Sequence, residues 1–183
     1  MLIWALVGCA GCPGGGSDKD TEPCVGDTGS ELDVECQCEL PTAQVGEGDY
    51  EFVSVPDGSE VTMIHGPQGG WHILGAIRVE NILPIISIHY TITDDLSGVV
   101  VSDNKYRVMT VRDTDCGAFY PGMYGYLDVG ELAEDECDTP PELLCGNTLT
   151  MQMDVIDGED RIASDTLSVV AIHDPADVCG CGD

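Results

Sequence analysis

The sequence predicts an all-β sandwich, and three observations support this prediction. From about Tyr50 onward, short stretches alternate apolar and polar residues, which is the pattern of strands buried on one face. Sequences rich in Gly, Pro and Asp separate these stretches and predict turns. No long amphipathic helix is evident, and the segment from Glu131 to Glu136 suffices for one short turn at most. Several short strands joined by frequent turns are typical of a β-sandwich.

The alternating stretches follow one another at short intervals. In the stretch at 86–92, for example, Ile86, Ile88 and Tyr90 share one face, and polar residues stand between them. The predicted strands lie at 61–63, 71–79, 86–92, 149–155 and 167–171. The predicted turns lie at 56–58, 66–67, 97–98 and 157–158.

The last two strands carry a resemblance to a known fold family. The sequence from Met153 to Arg161, followed by the alternating stretch from Asp165 to Val170, resembles the closing hairpin of immunoglobulin-like domains in bacterial surface proteins. The resemblance implies an immunoglobulin-like antiparallel β-sandwich, although the antibody-type combination of paired Cys and Trp is not evident. Because such a fold hosts many functions, it leaves the function open.

The N-terminus carries a second resemblance. An apolar stretch at 2–7 ends in a Leu-Val-Gly-Cys run at Cys9, which resembles the lipobox of bacterial lipoproteins. The resemblance implies that residues 1–8 are a cleaved signal peptide and that Cys9 carries a lipid. The anchored protein would not span the membrane, because a spanning helix needs about 20 apolar residues. Ala10, rather than Asp, follows the cysteine, which implies the outer membrane, at its periplasmic face or at the cell surface.

Composition divides the rest of the chain. Residues 9–44 are rich in Gly, Ser, Asp, Thr and Pro and contain no aromatic residue, which predicts a flexible, disordered tether. We expect the β-sandwich domain at 45–176 and a Cys-containing tail at 177–183. No Lys or Arg precedes the apolar stretch at 2–7, which indicates that the leader begins upstream of Met1.

The charge of the chain excludes one class of partner. The formal net charge is −28, from 34 acidic and six basic residues, and it repels the phosphate backbone of nucleic acids. Anionic lipid headgroups are repelled as well, so we expect membrane contact through the lipid anchor alone. Acidic residues at the predicted strand ends suggest either solvated loops or calcium ligands, and the first interpretation is preferred because no EF-hand spacing occurs. These residues are Asp94, Asp95, Asp103, Asp113, Asp115, Asp157, Glu159 and Asp160.

Ten cysteines in 183 residues predict disulfides in an oxidising compartment. Cys36 and Cys38 lie before the predicted domain and Cys179 and Cys181 after it, so a bond between these two ends is the preferred pairing. A middle group lies in a Gly- and Pro-rich region that needs cross-linking, and the sequence leaves the connectivity open. This group contains Cys116, Cys137 and Cys145.

The segment from His65 to His72 brings two histidines close together in sequence. It is similar to a motif of uncharacterised secreted lipoproteins of Gram-negative bacteria, a resemblance that implies no particular activity. One interpretation is a divalent-metal site formed by His65, Gln68 and His72, with His89 or a carboxylate as a further ligand. The other is a Gly-rich turn in which His65 packs on Trp71. The alternation of side chains favours the second interpretation, because it places His72 on the far side of the sheet.

Enzyme motifs are absent from the sequence, including the Gly-x-Ser-x-Gly elbow, the His-Glu-x-x-His zinc motif and phosphate-binding glycine loops. A thiol–imidazole pair of His89 with Cys116 or Cys145 would be inactivated by disulfide bonding. We therefore expect a non-enzymatic surface or periplasmic lipoprotein without a cofactor, which binds a protein or glycan partner or serves envelope architecture. The alternative is a metal-binding periplasmic protein that uses the loop of His65 and His72.

Overall fold

The computed structural model describes Cys36 and residues 39–67, 69–134 and 138–174, and within them the chain forms nine β-strands and a short helix. No helix in these ranges is long and apolar enough to cross a membrane. The elements are β1 (Thr42–Gly46), β2 (Ser59–His65), β3 (Trp71–Glu80), β4 (Ile85–Asp94), β5 (Val100–Met109), β6 (Val111–Arg112), β7 (Gly117–Leu127), α1 (Pro140–Leu144), β8 (Thr148–Asp157) and β9 (Ile162–His173).

The strands form two sheets that share β2. In the first sheet, β3 pairs with β1 and β7, and β6 pairs with β7. The second sheet has the order β5-β4-β8-β9-β2. The segment Ser59–Met63 of β2 runs parallel to β9, whereas Ile64 and His65 pair with β3 in the first sheet.

This topology confirms the all-β, immunoglobulin-like sandwich. If β3, β7 and β6 are strands B, E and D, and β4, β8 and β9 are strands C, F and G, the two sheets and their connections are those of an immunoglobulin domain. The β8–β9 hairpin, whose last pair is Ile156 and Ile162, is the closing hairpin that the sequence predicts.

The two sheets pack through the apolar faces that alternation predicts. On β4, the side chains of Ile86, Ile88 and Tyr90 are buried, and on β8 those of Met151 and Met153 are buried. The residues between them face outward, as expected for strands with one buried face. The core therefore lies between β4 and β8 on one side and β3 and β7 on the other.

Tyr90 packs where two glycines leave room for its ring. A Cβ atom at Gly75 on β3, or at Gly125 on β7, would lie 3.0 Å from the Tyr90 ring carbons. The hydroxyl of Tyr90 is buried without a hydrogen-bond partner among the described residues, and burial raises the pKa of this group well above its ordinary value. The glycines are therefore required by packing between the sheets and not by a turn.

Several elements of the fold carry no clear pattern in the sequence. The strand β5 has no simple alternation, and β7 contains three glycines and Pro121. The register between β3 and β7 shifts near Gly122, which adopts a φ of 67°, and such a bulge disrupts the pattern from which strands are predicted. The helix α1 begins after Thr139, whose backbone N–H donates to the Glu142 carboxylate at 2.9 Å.

The ordered domain begins before the predicted boundary at residue 45. The strand β1 starts at Thr42, and the backbone N–H of Val45 donates to the Asp165 carboxylate on β9 at 2.7 Å. The predicted signal peptide, the part of the tether before Cys36 and the tail at 177–183 lie outside the described residues.

Cys36 forms a disulfide with Cys116, with a Cα–Cα distance of 5.3 Å. The predicted bond between Cys36 and the C-terminal cysteines is therefore wrong. The physical reason is Asn81, which donates its side-chain amide to the Leu40 carbonyl and its backbone N–H to the Cys116 carbonyl. These two bonds hold the segment before β1 beside the start of β7.

Cys145 is also disulfide-bonded. Four further disulfide candidates lie outside the described residues, as does the lipidation candidate Cys9. These four are Cys38, Cys137, Cys179 and Cys181.

Candidate functional site

The β2–β3 hairpin has the geometry that the sequence predicts. His65 lies directly opposite Trp71, and Ile64 lies opposite His72. Gly69 and Gly70 adopt φ values of 81° and 93°, which confirms that the glycines supply a backbone conformation that other residues rarely adopt.

His65 packs on Trp71, as the second interpretation of this segment requires. The ring centroids are 4.8 Å apart and the ring planes differ by 21°, which is a stacked arrangement. Trp71 is 6% exposed and belongs to the main hydrophobic core, whereas His65 is exposed. His65 therefore covers the end of the core at this hairpin.

His72 points to the opposite face of β3, as expected, and other aromatic side chains cover it there. The His72 ring lies edge-on to Tyr124, with centroids 4.7 Å apart, and 6.2 Å from Tyr126. These rings leave His72 6% exposed, and burial lowers the pKa of its imidazole. Burial therefore favours the neutral form of the ring.

The structure does not bring the proposed metal ligands together. His65 and His72 lie on opposite faces of the hairpin, and Gln68 lies outside the described residues. His89 is on β4, where its Nε2 lies 2.8 Å from a carboxylate oxygen of Asp103 on β5. Within the described ranges, no group of three His, Cys, Asp or Glu side chains is arranged to hold a metal ion.

Two of the acidic candidates at the strand ends, Asp94 and Asp157, close turns. Asp94 is buried and accepts hydrogen bonds from Ser97 and from the side-chain amide of Asn147. Asp157 accepts three backbone N–H groups, those of Leu83, Glu159 and Arg161. Both buried carboxylates are thus satisfied by donors of the described residues.

The structure also rules out the thiol–imidazole pair. Cys116 is bonded to Cys36, and Cys145 is disulfide-bonded, so neither offers a thiolate to His89.

A cluster of aromatic side chains, two of them exposed, stands out on the outer side of the first sheet. It consists of His72, Tyr124 and Tyr126, which we call the aromatic face. Tyr124 and Tyr126 are 41% and 58% exposed, and their rings are stacked with centroids 5.8 Å apart. The hydroxyl of Tyr106 on β5 donates to the Tyr124 carbonyl oxygen, which fixes this part of β7 against the second sheet.

Sequence reasoning missed the aromatic face because it did not assign β7 as a strand. The signal was present in the Tyr124-Gly125-Tyr126 sequence, since residues two apart share a face of a strand. The contribution of His72 could not be seen, because its pairing with Tyr126 depends on the register between β3 and β7.

Comparison with known proteins adds one finding. No protein-family model matches the sequence, and no curated protein matches it either. Similar chains occur among solved structures, and one is the CooA pilin subunit from enterotoxigenic Escherichia coli. It is 11% identical with a TM-score of 0.33, over 72% of this chain and 99% of the pilin chain.

Proposed function

We propose that this chain is a non-enzymatic, lipid-anchored binding module of the bacterial cell envelope, and that its aromatic face holds a neutral glycan. The observation that carries the proposal is the aromatic face itself. Exposed clusters of large side chains on a rigid sheet are typical of binding surfaces, whereas scattered exposed apolar residues are ordinary.

The chemistry of this face suits a sugar ring. A pyranose presents C–H groups on its faces and hydroxyl groups at its edge, and tyrosine offers an apolar ring with a polar tip. The half-exposed rings of Tyr124 and Tyr126 offer both kinds of contact. A neutral glycan is favoured over an acidic one because the aromatic face contains no Lys or Arg that could pair with an acidic group.

The aromatic face is also rigid, which lowers the entropic cost of binding. Tyr124 and Tyr126 lie on a strand that pairs with β3, and the Tyr106 hydrogen bond adds a contact from the second sheet. The neutral His72 ring packs beneath them, so no charge needs to be desolvated there.

Binding of chitohexaose, a soluble neutral oligosaccharide, tests this proposal by calorimetric titration. We expect Tyr126→Ala to weaken the Kd about three- to tenfold, because each aromatic contact is worth about 0.5–1.5 kcal/mol. The matched control is Tyr50→Ala, since Tyr50 is 88% exposed and lies outside the aromatic face. Equal affinities of the two variants, or no binding by the unmodified protein, would refute the glycan assignment.

The anchoring part of the proposal rests on Cys9. In bacteria that express the chain with a complete leader, we expect Cys9→Ser to shift the protein from the membrane fraction to the soluble fraction, because acyl chains supply the membrane affinity. Fractionation followed by immunoblotting measures the shift. Cys12→Ser is the control and should leave the protein in the membrane fraction. Release of both variants, or of neither, contradicts lipidation at Cys9.

A further inference from the structure

The outer face of the second sheet carries a groove that the proposed glycan site does not use. It has a volume of about 450 Å³ and is lined by side chains from β4, β5, β8 and β9. We call it the cationic groove, and its principal residues are Lys105, Arg107, Ser87, Ile156 and Ile162.

The strand register explains the shape of the cationic groove. Arg107 pairs with Ser87, Ser87 with Ile156, and Ile156 with Ile162, so four side chains form one row across the sheet. Ser87 is the smallest member of this row and stands between two large neighbours. The result is a depression with a cationic wall on β5 and an apolar wall on β8 and β9.

The charge of the β5 wall is unusual for this protein. Arg78 is paired with Asp113, and Arg161 donates to the Glu39 carbonyl. Lys105 and Arg107, in contrast, make no hydrogen bond or ion pair with the part of the chain that the structure describes, and both are exposed. Two of the six basic residues of a chain with a net charge of −28 therefore converge, without partners, on one groove.

The carboxylates near the groove determine in which part of it an anion is attracted. The Asp103 carboxylate is within hydrogen-bond distance of the His89 ring, and the Asp154 carboxylate accepts a hydrogen bond from the Gln152 amide. Asp154 lines the groove on the β8 side, so an incoming anion is repelled there and attracted toward β5.

We propose that the cationic groove binds an acidic peptide segment of a partner protein, with carboxylates on Arg107 and Lys105 and an apolar side chain on Ile156 and Ile162. The spacing supports an extended peptide. Neighbouring strands are about 4.8 Å apart, so Ile156 and Ile162 lie roughly 10 and 14 Å from Arg107 across the sheet, and an extended chain covers that distance in about three to four residues.

Lys105 provides a second position for a carboxylate of the peptide. Lys105 and Arg107 are two residues apart on one face of β5, which is about 7 Å along the strand. This step is at right angles to the row that joins Arg107 to Ile162, so Lys105 lies beside the path of the peptide and would be reached by the long side chain of a second acidic residue. The groove therefore selects an apolar residue followed, three to four positions later, by acidic residues.

Fluorescence anisotropy with a fluorescein-labelled Leu-Leu-Ser-Ser-Glu-Ser-Glu peptide tests this inference on the full chain. We expect saturable binding of this peptide. The Arg107→Gln variant of the protein should bind it about tenfold more weakly, and so should the unmodified protein when Gln replaces both Glu residues of the peptide, because either change removes charge pairing between peptide and groove. Ile162→Ser, at a side chain that is 65% exposed, should weaken binding several-fold without unfolding the domain.

Arg112→Gln is the matched control, because it removes the same charge from the exposed edge strand β6 of the first sheet. It should leave the Kd within about twofold of the unmodified protein. Absence of peptide binding, or equal effects of Arg107→Gln and Arg112→Gln, overturns the proposal. Tighter binding of trigalacturonic acid through Arg107, or dimerisation that Arg107→Gln abolishes in sedimentation velocity, would instead assign the groove to an acidic glycan or to a second copy of the chain.

Discussion

Replacing Trp71 with Ala is expected to lower the free energy of unfolding by about 3–5 kcal/mol, which is the usual cost of removing a buried aromatic side chain. Trp71 is 6% exposed, begins β3 and belongs to the main core. Its loss would leave a cavity at the end of the sandwich and would remove the surface on which His65 stacks.

Urea denaturation measures this effect, and His65→Ala is the matched control. His65 is exposed, so its removal should cost much less than that of Trp71; the stacking contact itself accounts for about 0.5–1.5 kcal/mol. A metal site in this hairpin would give a different pattern, in which His65→Ala and His72→Ala lose similar stability and only when metal is present. Such a pattern would overturn the packing role that we assign to His65.

The second large effect is expected from the disulfide between Cys36 and Cys116. The two cysteines are 80 residues apart in sequence, and closing a loop of that length in the unfolded chain corresponds to roughly 4–5 kcal/mol of stabilisation. The double variant Cys36→Ser/Cys116→Ser should therefore unfold at a much lower temperature than the unmodified protein. The hydrogen bonds of Asn81 to Leu40 and Cys116, and that of Arg161 to Glu39, would remain to hold the segment before β1.

Calorimetry of the double variant with and without reductant separates this bond from the others. Reductant should destabilise the unmodified protein more than the double variant, and the effect that remains in the variant reports bonds such as that of Cys145. A loss of less than about 1 kcal/mol in the double variant contradicts a stabilising role for the Cys36–Cys116 bond.

The sequence predicts those parts of the fold in which buried and exposed residues alternate regularly along a single strand. The strands β4 and β8 alternate strictly, and the β8–β9 hairpin has a clear turn at Gly158, so both could be assigned from neighbouring residues alone. The stacking of His65 on Trp71 was predictable as well, because a short hairpin fixes which residues face each other.

The remaining features depend on contacts between distant residues. The bulge near Gly122 interrupts the alternation of β7, so alternation in the sequence predicts neither this strand nor the aromatic face on it. The partner of Cys36 is decided by the hydrogen bonds of Asn81, which no spacing of cysteines reveals. The cationic groove requires β5 and β9 to lie on either side of the β4–β8 pair, and this arrangement is a property of the topology.

The packing of Tyr90 against Gly75 and Gly125 has a consequence for the evolution of this sandwich. A Cβ atom at position 75 would lie 2.6 Å from the Met153 side chain as well as 3.0 Å from the ring, and one at position 125 would lie 2.6 Å from the Ile92 side chain. Tyr90→Phe brings no relief, because the contacts with the ring are made by its carbons. An alanine at position 75 or 125 therefore requires Met153 or Ile92 to shift as well as Tyr90, so we expect these positions to be exchanged together in distant descendants of this fold.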